Sequence, residues 1–497
     1  MSITGPGSVT ALNIAAVNTM DNQLNTLSEE LSSNEASQTY SGLGSQAGVA
    51  VSLSAQLSAI NGYSNTANTV GTTLSIAQSM LSELGSTGSA VEQSATAQSA
   101  FTLNGNGQTS VQASAQTQLQ QILSVLNTQV GGNYIFSGNA VNQPATASMN
   151  TILNGNGAQA GLTQIITERG QADLGTSGMG RLTVGGSGSN ITLNQDGSPF
   201  GFQLASVNTT IAGATASGPT GSPPTETVAL TSNASAGDTV QFNLTLPDGS
   251  SQTISLQATT NSPPGANQFT IGANAGATAA NIQTALTTSI TNLAQTALPA
   301  ASAMEAANNF FSGNPVMRVS GTPATSMSLV AGTSANTVSW YTGGNSASPR
   351  QTATAQVGPS TTVAYGMQAN EQAISSLLAN VAVFATTTYS ASNPNAQVSY
   401  TALSQKVTTN LSAPSGTQSI ADMEADLANA QTTIKNATTL NTQTQTTLQG
   451  MLQNIEGVNQ TQVGEQILTL QNSLSASLAV TAKLSQISLV NYLSTPG

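Results

Sequence analysis

Apolar residues near the start of the chain recur at alternating spacings of three and four, which is the pattern of a coiled-coil seam. A glycine-containing break at 40–44 divides this pattern into two seams, and Gly85 and Gly88 weaken the second near its end. The pattern predicts two long helices and then, after a turn at 105–107, a shorter third helix. The apolar members are Val17, Met20, Leu24, Leu27 and Leu31, then Val70, Leu74, Leu81 and Leu84, and in the third helix Leu119, Ile122, Leu126 and Val130.

The last part of the chain repeats this pattern and predicts three more helices. The first would carry Met367, Asn370, Ile374, Leu377, Val381 and Phe384; the second Met423, Leu427, Ile434, Leu448, Met451 and Ile455; the third Ile467, Leu470, Leu474 and Leu484. Several other positions of the second seam are Ala, Asn or Thr. Because such seams bury little apolar area per turn, we expect them to hold weakly in an isolated chain.

Between about 140 and 365 the pattern changes to one typical of strands and turns. Val240, Phe242 and Leu244 alternate with polar residues, and a turn at 247–250 leads to a returning strand with Ile254 and Leu256. One helix is predicted within 277–298, and a further strand at 338–341. The proline-containing segments 218–219, 223–224 and 263–265 have the composition of linkers.

These elements predict a mainly α protein with an inserted β-rich region. We divide the chain into an N-terminal helical assembly region at 1–140, an outward-facing β-rich variable region at 141–365 and a C-terminal helical assembly region at 366–497. Each helical end exposes an apolar stripe, and the other end is its natural partner. We therefore expect the two ends to pack as an antiparallel coiled-coil bundle and to contribute to packing between subunits.

Charge and composition exclude several classes of protein. Charged residues make up 5% of the chain, and the seven Lys and Arg residues are scattered singly within a net charge of −12, so we expect no nucleic-acid partner. No apolar run is long enough to span a membrane, so we expect no membrane insertion. Residues 1–20 lack the basic and apolar parts of a secretory signal peptide, so export would need another route.

The chain contains no Cys and no His, which removes thiol nucleophiles, imidazole bases and most zinc sites. The carboxylate clusters Glu29-Glu30 and Asp422, Glu424, Asp426 flank helical seams, where solvated helix faces explain them. The turns at 104–107 and 194–197 are rich in oxygen ligands but lack a following bidentate acid for calcium. We therefore expect no cofactor, no metal and no enzymatic activity.

Short motifs add a resemblance to a known family. The segment Gln129-Val130-Gly131-Gly132-Asn133-Tyr134-Ile135-Phe136-Ser137-Gly138 resembles the one that closes the N-terminal helical region of the hook-associated protein at the hook–filament junction of bacterial flagella. Residues 477–493 resemble the C-terminal segment of the same family. Tyr40-Ser41-Gly42-Leu43-Gly44, and Tyr365-Gly366 followed by Ala369-Asn370-Glu371, are similar to versions in alphaproteobacterial members.

The resemblance, which covers about 1–140 and 360–497, implies a secreted subunit of the extracellular flagellum. It implies passage of the unfolded chain through the flagellar type III export channel, folding on assembly into concentric helical tubes, and a middle region that faces outward. The implied partners are further copies of the chain, other flagellar axial proteins and an export chaperone.

Flagellin and the junction protein share this plan, and the residues leave both open. The segment at 40–43 lacks the Arg-rich loop usual in flagellin, and the ending Asn491-Tyr492-Leu493 is closer to the junction protein. The length of 497 residues favours flagellin.

Other classes of protein remain as alternatives. A surface adhesin or enzyme-bearing filament protein would act through its middle region, where Phe310-Phe311 and Trp340-Tyr341 are the adjacent aromatic pairs. A type III translocator would need the membrane segment that the sequence lacks, and a free hydrolase would need catalytic groups.

Overall fold

The computed structural model describes residues 6–97, 101–412 and 416–493, so the outermost residues of both predicted terminal regions lie outside the described residues. Helices lie at both ends of the described part of the chain. They are α1 (Pro6–Ser33), α2 (Ala47–Thr96), α3 (Ser110–Leu126), α4 (Met149–Asn154), α5 (Leu162–Leu174), α6 (Ala275–Gln295), α7 (Ala297–Ser312), α8 (Gln372–Thr386), α9 (Ala396–Leu411), α10 (Ile420–Glu456) and α11 (Gln460–Leu493).

Most of the strands lie between α5 and α6. In chain order, the strands among the described residues are β1 (Gln129–Val130), β2 (Asn133–Tyr134), β3 (Leu182–Gly185), β4 (Asn190–Gln195), β5 (Gln203–Thr209), β6 (Ala214–Thr220), β7 (Thr225–Leu230), β8 (Thr239–Thr245), β9 (Ser251–Thr259), β10 (Gln268–Thr270), β11 (Met317–Val319), β12 (Leu329–Ala331), β13 (Thr354–Gln356) and β14 (Thr362–Ala364). Two four-stranded sheets, ordered β10-β9-β8-β5 and β3-β4-β7-β6, share one apolar core with α6. The predicted fold class, helical ends around a strand-rich middle, is confirmed.

The chain divides into two compact units. The first comprises 1–71, 355–363 and 432–497, and there α1 packs against α11. The backbone N–H of Ala36 donates to Glu456 O at 2.6 Å, and Glu35 and Gly457 form an antiparallel bridge at the end of this pair. Leu53 and Ile60 of α2 pack against Leu448 of α10 in the same unit. The terminal helices are therefore paired antiparallel.

The second unit comprises 72–354 and 364–431, and α8 forms its helical core. All but three residues of α8 are buried, and the helix packs against α3, α7 and α9. The buried amide of Gln112 on α3 donates to the carbonyl oxygens of Phe384 and Thr387, at 3.0 and 2.7 Å. These bonds satisfy carbonyl groups that the end of a helix leaves without an intrahelical partner.

Two of the motif segments meet in this unit although more than two hundred residues separate them. Gly131 and Gly132, with φ of 60° and 85°, form the turn of the β1–β2 hairpin, a conformation that favours glycine at both positions. After the hairpin, Gly138 N donates to Met367 O and Ala369 N donates to Phe136 O. The segment that closes the N-terminal helices is thus hydrogen-bonded to the segment that opens the C-terminal ones.

The helical predictions hold in outline and fail at three places. Helix α2 continues through Gly85 and Gly88, where a weakening was predicted; a Cβ at Gly88 would lie 2.8 Å from Leu377, so the glycine permits a close approach of α8. Val130 lies in β1, because α3 ends at Leu126. Met367 and Asn370 precede α8, in the segment that pairs with 136–138.

In the middle region, the strand pair at 239–259 and the helix at 275–295 are confirmed, but two predictions are wrong. Pro219 belongs to β6, an edge strand in which the missing N–H breaks no ladder, and 223–224 lie in the β6–β7 turn, so these are not linkers. Residues 338–341 form no continuous strand: Thr337 bridges to Ala160 and Tyr341 to Thr146, so the segment changes partner within five residues.

Candidate assembly surface

The seam between α1 and α11 is only partly covered within the chain. Its predicted members lie along the facing sides of the two helices, and all but one are half-buried; Leu31 is 38% exposed. The half-buried members are Val17, Met20, Leu24 and Leu27 on α1, and Ile467, Leu470, Leu474 and Leu484 on α11. The sequence pattern predicted packing between the two helical ends, and the place of these residues in packing between subunits stays a prediction.

A groove of about 900 Å³ between α1 and α11 explains this partial burial. It includes the seam residues Leu27 and Leu470, and its other lining residues are neutral and polar except Glu465. An antiparallel pair of helices covers each seam residue from one side, whereas a bundle of three or more covers it from several. The α1–α11 pair is therefore an incomplete bundle when the chain is alone.

The seam between α2 and α10 is closed. Its predicted members are buried within the chain, apart from the half-buried Ile455 and the exposed Met451, and the buried ones are Val70, Leu74, Leu81, Leu84, Met423, Leu427, Ile434 and Leu448. Asn441, a polar seam position, is also buried and donates to Val357 O at 2.8 Å. Met451 is 49% exposed, and Leu452 packs in its place beside Leu448. These side chains are already covered within the chain, and their place in subunit packing stays a prediction.

Large apolar residues outside the seams form a feature that the three–four spacing missed. Leu12 is 67% exposed on α1 and Leu468 is 62% exposed on α11; Ile14, Leu478 and Val480 are each at least half exposed. A search for apolar residues off the seam positions could have found them. Grouped on two paired helices, exposed apolar residues are typical of an interaction surface.

Charge is scarce on the same helices. Their charged residues are Asp21, Glu29 and Glu30 on α1, and Glu465 and Lys483 on α11. Short neutral side chains take up much of the remaining surface, and many of their hydroxyls bond to their own backbone, as Thr19 does to Ala15 O at 2.8 Å. Such a surface loses little hydration of charge when another protein covers it.

Basic side chains of the second unit are engaged in internal ion pairs. Arg318 contacts Glu168, Arg181 contacts Asp196, and Lys406 contacts Asp248, with closest N–O distances of 2.6, 3.0 and 2.5 Å. Arg169 pairs with Asp173 and Glu305, and Arg350 with Glu371 and Asp426. The arrangement separates the cations along the fold instead of gathering them into one basic face.

Asp422, Asp426 and Asp196, three of the carboxylates singled out in the sequence, have structural partners. Asp422 accepts hydrogen bonds from the backbone N–H and hydroxyl of Ser419 at the start of α10, and these bonds lower the pKa of its carboxyl. In the turn at 194–197, Asp196 accepts from Arg181 and from Ser198. Within the described parts of the chain, no group of three or more acidic residues is placed to hold a metal ion.

Glu226 is a buried acid that sequence reasoning did not identify. It lies in β7 in the inward-facing register of Val228 and Leu230, and its carboxyl has no hydrogen-bond partner among the described residues. Burial without a compensating partner raises its pKa to about 7. The carboxyl is therefore protonated in the folded protein over a pH range in which an exposed glutamate is ionised.

Comparison with protein families finds a match at the N-terminal end of the chain. Residues 9–141 match the model of the bacterial flagellin N-terminal helical region, a span that begins in α1 and ends beyond the β1–β2 hairpin. No curated protein matches the chain. Among the described residues, no helix combines the length and hydropathy needed to cross a membrane.

Proposed function

We propose that this chain, a protein of the bacterial flagellin family by its N-terminal helical region, is a self-assembling structural subunit of the flagellum. The observation that carries the proposal is the state of the α1–α11 pair, where the seam is half-buried and large apolar residues lie exposed beside it. The family is structural, and this surface offers area to a neighbour without acid–base or nucleophilic groups arranged for chemistry.

Assembly would complete the unfinished helical pair. Helices of neighbouring subunits would cover Leu12, Ile14 and Leu468 and close the seam around Leu474. Each square ångström of apolar surface removed from water contributes about 25 cal/mol, so a few well-covered side chains supply several kcal/mol per contact. This gain offsets the entropy lost when the weakly held ends become ordered.

The proposed route of export agrees with helical ends that become ordered only on assembly. Ends that hold weakly in the monomer suit a chain that leaves the cell unfolded through the flagellar type III channel and orders its ends on joining the flagellum. The partners would be further copies, other axial proteins and an export chaperone. The three regions 1–140, 141–365 and 366–497 would then be inner helices, outward-facing insert and inner helices again.

The position we propose along the flagellum is the junction between hook and filament. Support comes from the segments at 129–138 and 477–493, which resemble the junction protein, and from the loop at 40–43, which lacks the arginines usual in flagellin. The pairing of 136–138 with 367–369 gives the first of these segments a structural role.

Electron microscopy of a deletion strain, with immunogold labelling of the complemented strain, tests both the structural role and the proposed position at the junction. A junction subunit predicts hooks without filaments in the deletion strain and label confined to a short zone at the hook tip. Label along the whole filament would replace the junction with a filament role. Normal, unlabelled flagella would contradict the structural role itself.

A further inference from the structure

A second groove, of about 610 Å³, lies within the second unit and has no part in the assembly surface described above. It is bordered by the end of α7, the segment 338–345 and the start of α8. Its volume falls in the range of small-molecule sites.

Aromatic side chains form one wall of this groove. Phe310 and Phe311 meet edge to face with ring centroids 5.1 Å apart, Phe311 meets Trp340 at 5.3 Å, and Trp340 meets Tyr341 at 5.9 Å. The fold thus joins two aromatic pairs that are about thirty residues apart in sequence. Phe310, Phe311 and Trp340 are buried, while Tyr341 keeps part of its surface exposed.

Neutral amides form the rim. Asn314, Asn345 and Gln372 are exposed, and Asn370 Nδ2 donates to Asn345 Oδ1 at 3.0 Å. Among the described residues that line the groove, none is charged. Each amide offers a donor and an acceptor side by side, which matches neighbouring hydroxyl groups on a ligand.

A buried hydroxyl also lines the groove. Ser375 on α8 is 2% exposed, and its Oγ has no hydrogen-bond partner among the described residues. Leaving such a group unpaired costs free energy, which a ligand hydroxyl or an ordered water would recover.

The loop beside the groove is held in place by hydrogen bonds. Gln368 exchanges two bonds of 3.0 Å with the backbone of Ser346, and the Tyr341 hydroxyl donates to Gly344 O at 3.0 Å. Gly344 N in turn donates to Ser137 O. A wall held this way loses little freedom when a ligand binds, which favours affinity.

We propose that this groove binds a neutral oligosaccharide. A partly exposed tyrosine backed by three further aromatic rings suits the apolar face of a sugar ring, and the amides and Ser375 suit its hydroxyls. The lack of charge disfavours phosphorylated, sulfated or acidic ligands, which bind through Arg and Lys. The subunit would thereby carry a binding function in addition to its structural one.

The chain contains a single tryptophan, Trp340, so the intrinsic fluorescence of the full-length protein reports on this groove. The probes are neutral hexasaccharides with α-glucan, β-glucan and chitin linkages, and a sialylated oligosaccharide serves as the charged comparison. Each is titrated to about 10 mM, so that dissociation constants up to the millimolar range are detected. We expect a saturable change with at least one neutral probe and none with the charged one. No response to any neutral probe would overturn the proposal.

Two variants locate the binding. Gln372→Ala removes an exposed rim amide and Ser375→Ala removes the unpaired hydroxyl, and we expect each to weaken binding about tenfold, the loss typical of one good hydrogen bond. Gln397→Ala, at an exposed glutamine on α9 outside the groove, is the matched control and should bind as the wild type does.

The thermal transition separates binding from stability. Ser375→Ala should keep or raise the transition temperature, because it removes an unsatisfied buried group, while it lowers affinity. Equal affinities in the wild type and both groove variants would contradict the site. So would a fluorescence change that follows protein concentration instead of saccharide, since a second copy of the chain would then occupy the groove.

Discussion

The α1–α11 pair and the α2–α10 seam are built from the same spacing of apolar residues, yet their burial differs. Leu81 of α2 and Leu427 of α10 are fully buried, whereas Leu24 of α1 and Leu474 of α11 are half-buried. The spacing therefore determines which side of a helix meets a partner. It does not determine how many partners cover that side.

The surroundings of the two seams account for the difference. Within the second unit, Gly88 lets α2 approach α8 closely beside Leu377, and α8 itself is enclosed by α3, α7 and α9. In the first unit, α1 and α11 face each other across an open groove. The first arrangement is a core of the folded chain, and the second has the character of an interface before assembly.

The largest expected effect comes from truncation of the closed seam. Leu81→Ala should lower the free energy of unfolding of the second unit by about 2 to 5 kcal/mol, because it leaves a cavity in a buried site. Leu468→Ala, the same change at an exposed position of α11, should change monomer stability by less than about 0.5 kcal/mol. Denaturant unfolding of the purified monomer measures both. Similar losses would remove the distinction between the closed α2–α10 seam and the exposed surface of α11.

A smaller, pH-dependent effect is expected from Glu226 in the sheet core of the second unit. Its pKa is raised from the ordinary 4.5 to about 7, so between these values the unfolded chain releases the proton before the folded one does. Stability from this group is complete below about pH 4.5, falls as the pH rises through 7 and then levels off, with a loss of about 3 kcal/mol in all.

Glu226→Gln should flatten this part of the stability profile, because the amide keeps the size of the acid without its ionisation. Glu465→Gln on α11 is the matched control and should keep the wild-type profile. Unfolding curves recorded from about pH 4 to pH 9 give the comparison. A profile for Glu226→Gln that still falls like the wild type would assign the pH dependence to other groups.

Sequence patterns predicted the long helices well because a three–four spacing of apolar residues sustained over a segment such as 420–455 fits a helix and not a strand. They did not predict α7 or α9. Helix α7 is rich in Ala, so its buried face has no contrast with the rest of the helix, and α9 has a weak apolar stripe around Tyr400, Leu403 and Val407. Both helices depend on tertiary packing against α8.

Features that depend on distant contacts were also beyond the sequence. The aromatic pairs at 310–311 and 340–341 were noted separately, but their meeting depends on the path of the chain between them. The hydrogen bonds between 136–138 and 367–369 join segments recognised only as separate motifs. The exposed Leu12 and Leu468 were missed because they lie outside the three–four spacing, which selects internal seams.

Leu474→Asp should have the smallest effect on the stability of the monomer and the largest effect on assembly. Leu474 is half-buried in a loosely closed pair, so the aspartate can stay hydrated in the monomer and the transition of the second unit should be unchanged. In an assembled flagellum neighbouring helices would enclose that charge, at a cost on the order of several kcal/mol. Leu474→Met keeps the apolar volume and is the control.

The most direct measurement is filament microscopy of a strain that carries Leu474→Asp, beside calorimetry of the secreted monomer. We predict that the variant is exported and soluble with the wild-type transition of its second unit, yet is absent from the flagellum, while Leu474→Met assembles normally. Normal incorporation of Leu474→Asp would contradict the proposal that α11 lies between subunits. A large loss of monomer stability would instead place Leu474 in the core of the chain.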